Sequence, residues 1–163
     1  MDAETENTII SGIIGNDTNN DALITMIIKK HYDDEDYWAN VFSTTRVSDK
    51  FFFNNIEICN LKYLFRYYQF TCEVNEFCIT ENLMKDPELE QIFMQHQILH
   101  EDQLERCLEN ACNYDELFLI AQEYQNLSVE FMTTHIDKLD WFIVSNSQLM
   151  DMEFLTNNAN NIL

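Results

Sequence analysis

The sequence predicts an all-α fold: a single domain built as a solenoid-like stack of short helix pairs. Its 163 residues are the length of one ordinary domain, and 46% of them are hydrophobic, which is enough to build a core. Only two glycines and one proline occur. Sheet-rich sandwiches and nucleotide-binding loops use far more glycine than that, whereas a helical domain needs little. Apolar residues that recur every three or four positions also favour helices.

An apolar ladder that ends in glutamine occurs four times and predicts one helix of each pair. The four segments, which align without gaps, are 59–69, 87–97, 115–125 and 138–148. The position five residues before the glutamine holds Leu64, Ile92, Ile120 and Ile143, and the following position holds Phe65, Phe93, Ala121 and Val144. These positions share one face of a helix. We therefore expect the first four of these residues to be buried equivalently.

A second short helix is predicted before each ladder. The matching segments are LSVEFM (127–132), MDMEFL (150–155), VSDKFF (47–52) and, less closely, EVNEFC (73–78) and HEDQLE (100–105). In this pattern a polar residue stands near the helix start, and an aromatic residue or leucine falls inside the helix. Ser48 and Ser128 are the predicted N-caps, because a serine oxygen accepts a hydrogen bond from a free N–H of the first turn.

The repeats are predicted to form one domain over residues 21–163. A weaker copy begins at Asp21, where ALITMIIKKH and YWANVFSTTR form the pair and Trp38, Val41 and Phe42 occupy ladder positions. Residues 1–20, which contain both glycines and many asparagines and aspartates, are predicted to be a loose N-terminal arm. Units of this size cannot bury their apolar stripe alone, so stacking of neighbours completes the core.

One copy carries a family resemblance. The stretch LSVEFMTTHIDKLDWFIVSNSQ (127–148) resembles a short helical repeat, L-S-x-x-F…D-K-x-D-W…S-x-x-Q, that recurs in tandem in proteins of phages and large DNA viruses. The other copies lack the Asp-Trp pair. The resemblance implies an α-helical solenoid and a phage or viral source. It carries no catalytic residue.

The charge of the chain is strongly negative and uneven. Nine bases against 29 acids give a net charge of −20, which excludes a direct nucleic-acid binder of the usual basic kind and argues against docking on an anionic membrane. Glu101, Glu105 and Glu109 recur every four residues, and such like-charge pairs destabilise a helix by about 0.2–0.5 kcal/mol each. The predicted partner-binding residues are Glu88, Glu90, Glu101, Asp102, Glu105, Glu109, Asp115, Glu116 and Glu123.

Two interpretations of this charge remain open: it keeps the protein soluble, or it binds a basic partner. A helix with one glutamate every four residues carries one charge per roughly 6 Å, so several stacked helices would approach the charge density of a DNA duplex. The favoured hypothesis is a non-enzymatic protein-binding module. Its most concrete form is a phage or viral inhibitor of the DNA-mimic type, which occupies the basic nucleic-acid-binding surface of a host restriction or CRISPR protein. The alternative is a viral structural or scaffold protein that uses its repeats for subunit contacts.

No catalytic or cofactor-binding motif is visible, so we expect neither an enzyme nor a cofactor. The G-x-S-x-G, P-loop and H-E-x-x-H patterns do not occur. His96 and His100 would share a face if one helix contained both, with Cys107 and Cys112 following, but zinc sites use tighter pairs. The acidic run 33–36 is predicted to be a solvated connector or a helix start. We therefore expect no metal site.

The cysteines and the start of the chain predict a cytoplasmic protein, in the host cell cytoplasm if the source is viral. Five cysteines occur, and the first eleven residues contain three acids and no base, unlike a secretory signal. An odd number of cysteines in a chain that begins in this way predicts reduced, mostly buried thiols.

Overall fold

The computed structural model describes residues 5, 8–10, 12, 21–44 and 47–161. Within these residues all regular structure is helical, which confirms the predicted all-α fold class. The chain divides into two compact units, Met1–Thr71 and Cys72–Leu163, and each is considered by itself. Most of the predicted N-terminal arm, 1–20, lies outside the described residues, but Ile10 within it is helical and fully buried. No helix in the described ranges is long and apolar enough to cross a membrane.

The first unit contains the weak copy of the repeat that was predicted to begin at Asp21. Its described helices are α1 (Asp21–Lys30), α2 (Glu35–Thr44), α3 (Asp49–Asn55) and α4 (Leu61–Tyr67). Helix α2 packs against α4 and buries Trp38, Val41 and Phe42, the three predicted ladder residues. The indole N–H of Trp38 donates to the carbonyl of His31 at 2.7 Å, which fixes the turn between α1 and α2.

The second unit contains two rows of helices. Its described helices are α5 (Cys72–Thr80), α6 (Pro87–His96), α7 (Glu101–Glu109), α8 (Tyr114–Tyr124), α9 (Val129–Thr134), a 3₁₀ turn (Ile136–Lys138), α10 (Trp141–Ser147) and α11 (Met152–Asn157). Helix α8 packs against both α6 and α10, α5 packs against α7, and α7 against α8. We call α6, α8 and α10 the first row, and α5, α7, α9 and α11, which alternate with them along the chain, the second row.

Polar side chains begin many of these helices because Ser, Asn and Asp oxygens accept the free N–H groups of a first turn. Ser48 and Ser128, the two predicted N-caps, accept from the N–H three residues further on at 3.1 and 3.0 Å. Asp86 caps α6 in the same way, and Pro87 occupies the first helical position, where a missing N–H costs nothing.

The second-row helices α5, α7 and α9 bury equivalent residues: the one before the N-cap, and the third and fourth of the helix. In α7 these are Leu99, Gln103 and Leu104, and in α9 they are Leu127, Phe131 and Met132. In a hydrophobic staple the outer two of the three pack together and fix the entry of the chain. The predicted alignment was therefore wrong for two copies. The residues equivalent to 127–132 are 99–104 rather than 100–105, and 70–75 rather than 73–78.

The ladder that ends in glutamine is also shifted in its first copy, which forms α4 of the first unit. Gln97, Gln125 and Gln148 are the C-caps of α6, α8 and α10, but the C-cap of α4 is Tyr68. The predicted ladder glutamine, Gln69, lies one residue further on and is exposed. The first ladder copy, which was predicted to span 59–69, therefore corresponds to residues 58–68.

The predicted equal burial at one ladder position is wrong. Leu64 and Ile92 are buried, but Ile120 and Ile143 are only partly buried. The position four before the C-cap is the one that is buried in every copy, and none of its residues is more than 1% exposed: Leu64, Phe93, Ala121 and Val144. Successive residues on a helix differ by about 100° in direction. A shift of one position therefore moves a side chain from the centre of the contact to its margin.

Candidate functional site

The second unit is held in register by the side chain of Gln125. Its amide nitrogen donates to the carbonyls of Met94 and Gln97 at 2.5 and 2.7 Å, and its side-chain oxygen accepts the N–H of Leu99 at 3.1 Å. The two carbonyls lie at the end of α6, where a helix leaves its last carbonyls without internal partners. One buried amide thus satisfies three backbone groups of the preceding repeat. We call this arrangement the glutamine clamp.

Gln148 forms the same clamp one repeat later. Its amide nitrogen donates to the carbonyls of Gln122 and Gln125, both at 2.7 Å, and its oxygen accepts the N–H of Leu127 at 2.9 Å. Each of the three backbone groups is displaced by 28 residues from its counterpart in the first clamp. The sequence marked these glutamines by their regular position but gave no indication of what their side chains bind.

Helix α7 is bonded to α5 through one of its flanks. The amide nitrogen of Gln103 donates to the Cys72 carbonyl at 3.0 Å, and Arg106 forms a two-pronged ion pair with Glu76. The hydrogen bonds from Arg106 hold the pKa of Glu76 at about 2, below its usual range. Arg106 is therefore engaged mainly with a helix other than its own.

The other flank of α7 is bonded to the segment that contains α9. A carboxylate oxygen of Glu101 accepts the N–H of Ser128 at 2.7 Å, and Glu105 lies 3.2 Å from Nε2 of His135. Both glutamates are partly buried. Two of the predicted partner-binding acids therefore link repeats to each other, and of the regular series on α7 only Glu109 is exposed.

One predicted binding residue is inside the protein. Glu90 is only 8% exposed, and its two carboxylate oxygens accept the Cys112 N–H at 3.0 and 3.1 Å. Its charge stabilises the loop between α7 and α8 and is not presented to a partner. The remaining predicted acids are exposed: Glu88, Asp102, Asp115, Glu116 and Glu123, as well as Glu109. Glu116 accepts a hydrogen bond from Gln91 at 2.8 Å, so it too contributes to packing between repeats.

One repeated helix position holds an exposed carboxylate once the helix starts are aligned. The second residue of every second-row helix is acidic and exposed: Glu73, Asp102, Glu130 and Glu153. We call these four residues the acidic edge. Only Asp102 was among the predicted site residues. The other three were missed because the overall charge count does not reveal that they occupy one repeated position.

Few bases in the second unit offset these carboxylates. The unit holds eighteen acids and three bases, Lys85, Arg106 and Lys138. Arg106 is engaged by Glu76, and the Nζ of Lys138 lies 4.1 Å from the centre of the Tyr114 ring. The exposed surface of the unit is therefore dominated by negative charge, and such a surface attracts cationic groups over distances of about a Debye length.

In the first unit, the acidic run 33–36 begins α2, as predicted. Asp34 pairs with Nδ1 of His31 at 3.1 Å, and this hydrogen bond is the main reason that the pKa of Asp34 is lowered. Glu35 accepts from Arg66 at 2.7 Å. An open depression beside the run is lined by these acids together with two lysines. Because Asp34 and Glu35 already bind groups of the protein, they do not form a free set of cation ligands.

The zinc arrangement considered for His96 and His100 is not formed. Helix α6 ends at His96 and His100 is the N-cap of α7, so the two imidazoles are not on one helix. Cys107 is buried, and burial raises the pKa of its thiol to about 12. No group of three His, Cys, Asp or Glu side chains in the described ranges is arranged to hold a metal ion.

The exposed chemistry of the second unit is thus that of carboxylates, which accept hydrogen bonds and attract cations. No family model, curated protein or solved structure matches the chain. The second-row helices place exposed acids at one fixed helix position.

Proposed function

We propose that this chain is a non-enzymatic, acidic protein-binding module whose acidic edge engages a basic surface on a partner protein. The acidic edge carries the proposal, because four consecutive second-row helices place an exposed carboxylate at the same position. In the described part of the chain, the carboxylates of Glu73, Glu130 and Glu153 have no hydrogen-bond or ion-pair partner, so they are available to a ligand.

The repeat does not itself require an acid at this position. An acid in the first turn of a helix gains about 0.3–1 kcal/mol from the helix dipole, so one such residue needs no further explanation. The equivalent residue of α3 in the first unit, however, is Lys50, and α3 forms with an ordinary serine cap. Four acids in succession, with few bases nearby, raise the electrostatic repulsion within the unit. Binding of a basic partner would offset that repulsion through attraction between opposite charges.

The most specific form of the proposal is a DNA mimic. Helices α5 and α7 pack against each other, and packed helices lie about 8–10 Å apart, so Glu73 and Asp102 are separated by an interval of that order. Exposed acids on neighbouring helices, such as Glu109, Asp115 and Glu123, increase the density towards that of a duplex. A phage or viral inhibitor that occupies the basic nucleic-acid-binding surface of a host defence protein, in the host cytoplasm, would use such a surface.

The test compares two variants that each lose four negative charges. The edge variant carries Glu73→Gln, Asp102→Asn, Glu130→Gln and Glu153→Gln. The matched control carries Asp33→Asn, Glu57→Gln, Glu81→Gln and Asp137→Asn, all at exposed positions outside the acidic edge and outside the predicted partner-binding residues. Each protein is immobilised and exposed to a bacterial lysate, and captured proteins are identified by mass spectrometry. The affinity of a captured protein is then measured over a salt series, with and without a competing DNA duplex.

We expect the parent and the control to capture the same basic protein and the edge variant to lose it. Binding should weaken steeply with salt, mainly through slower association, and a DNA duplex should compete. Equal capture by all three proteins, or binding that does not depend on salt, would contradict the proposal. The scaffold alternative, in which the repeats join subunits and charge serves only solubility, would then take its place.

A further inference from the structure

We draw no further inference here: the strongest candidate, the nearly closed cavity of about 10 Å³ that Met84, Met94, Cys107 and the buried Glu90 line in the second unit, is of a size for one water molecule, and nothing in the structure shows that its sulfur and carboxylate groups hold a ligand.

Discussion

The side-chain amide of Gln148 donates to the backbone carbonyl of Gln125 at 2.7 Å, which joins the C-caps of two successive first-row helices. Gln125 in turn donates to the carbonyl of Gln97 at 2.7 Å. The three helix ends are thus connected by amide side chains that bind backbone rather than other side chains. A contact of this kind fixes the register of the repeats while leaving their apolar residues free to vary, which accounts for the degenerate appearance of the ladder.

Replacing Gln125 by alanine should cost about 2–4 kcal/mol in the free energy of unfolding, because three backbone groups would lose their partner at a site that is only 4% exposed. The matched control is Glu123→Ala on the same helix, which is exposed and should change stability by less than about 0.5 kcal/mol. Urea unfolding measured by circular dichroism gives both values. Equal effects of the two substitutions would mean that the glutamine clamp is not a source of stability.

The corrected ladder register makes a prediction about two adjacent residues of α8. Ala121 is completely buried, whereas Ile120 is partly buried, so Ala121→Asp should destabilise the protein far more than Ile120→Asp. An aspartate at position 121 would be an unpaired charge in a dry contact, and we expect it to abolish most of the helical signal of the second unit. At position 120 the carboxylate can reach water. If Ile120→Asp destabilised the protein more than Ala121→Asp, the register predicted from the sequence would be the correct one.

Much of the fold follows from the sequence because its causes are local. Helix periodicity and the serine caps depend on residues within a turn of each other, and both were predicted. The register between copies was not, because it depends on which face meets the neighbouring helix. Helices of different length, such as α8 and α10, align when they are counted from the C-cap, where Ala121 and Val144 each lie four residues before the glutamine, and not when they are counted from the N-cap.

The candidate site could be predicted only in part. Composition correctly indicated an acidic exposed surface, but it could not separate carboxylates that face solvent from those that bind protein groups. Glu90 and Glu101 look the same in the sequence as Glu88 and Glu109, yet they accept backbone N–H groups from distant residues. The acidic edge was within reach of sequence reasoning, since aligning the N-caps correctly would have placed its four acids at one position.

The ion pair between Glu76 and Arg106 should make a contribution to stability that depends on pH. The pKa of Glu76 is about 2 in the folded protein against an ordinary value of 4.5, so its carboxylate stabilises the fold above about pH 4.5, and this contribution is lost as the pH falls towards 2. Both side chains are more than a third exposed, so we expect Glu76→Gln to cost no more than about 1 kcal/mol at pH 7.

The measurement for this ion pair is the difference in unfolding free energy between the parent and Glu76→Gln at pH values from 7 down to 3. The difference should shrink on acidification. Glu81→Gln, which removes an exposed charge just after the same helix, serves as the control and should give a small difference that changes little. A constant difference for Glu76→Gln would show that the glutamate acts by packing and not by its charge.

Thiol reactivity should divide the five cysteines into two groups. Cys59, Cys78 and Cys107 are buried, and burial raises the pKa of each thiol to about 12, so they should not react with a thiol reagent in the folded protein. The two exposed cysteines, Cys72 and Cys112, should react. Alkylation followed by mass measurement should add two labels under native conditions and five in denaturant. More than two rapid labels would indicate a looser core than the one described.

The unequal lengths of α8 and α10 bear on how such a chain can change in evolution. Helix α8 has eleven residues and α10 has seven, a difference of about one turn, yet both end at a clamped glutamine. Insertions and deletions are thus accommodated at the start of the helix, in the loop that leads into it, while its other end is fixed. We expect a lineage of such proteins to tolerate length changes near Asn113 and Asp140 but to lose the fold when residues are added just before Gln125 or Gln148.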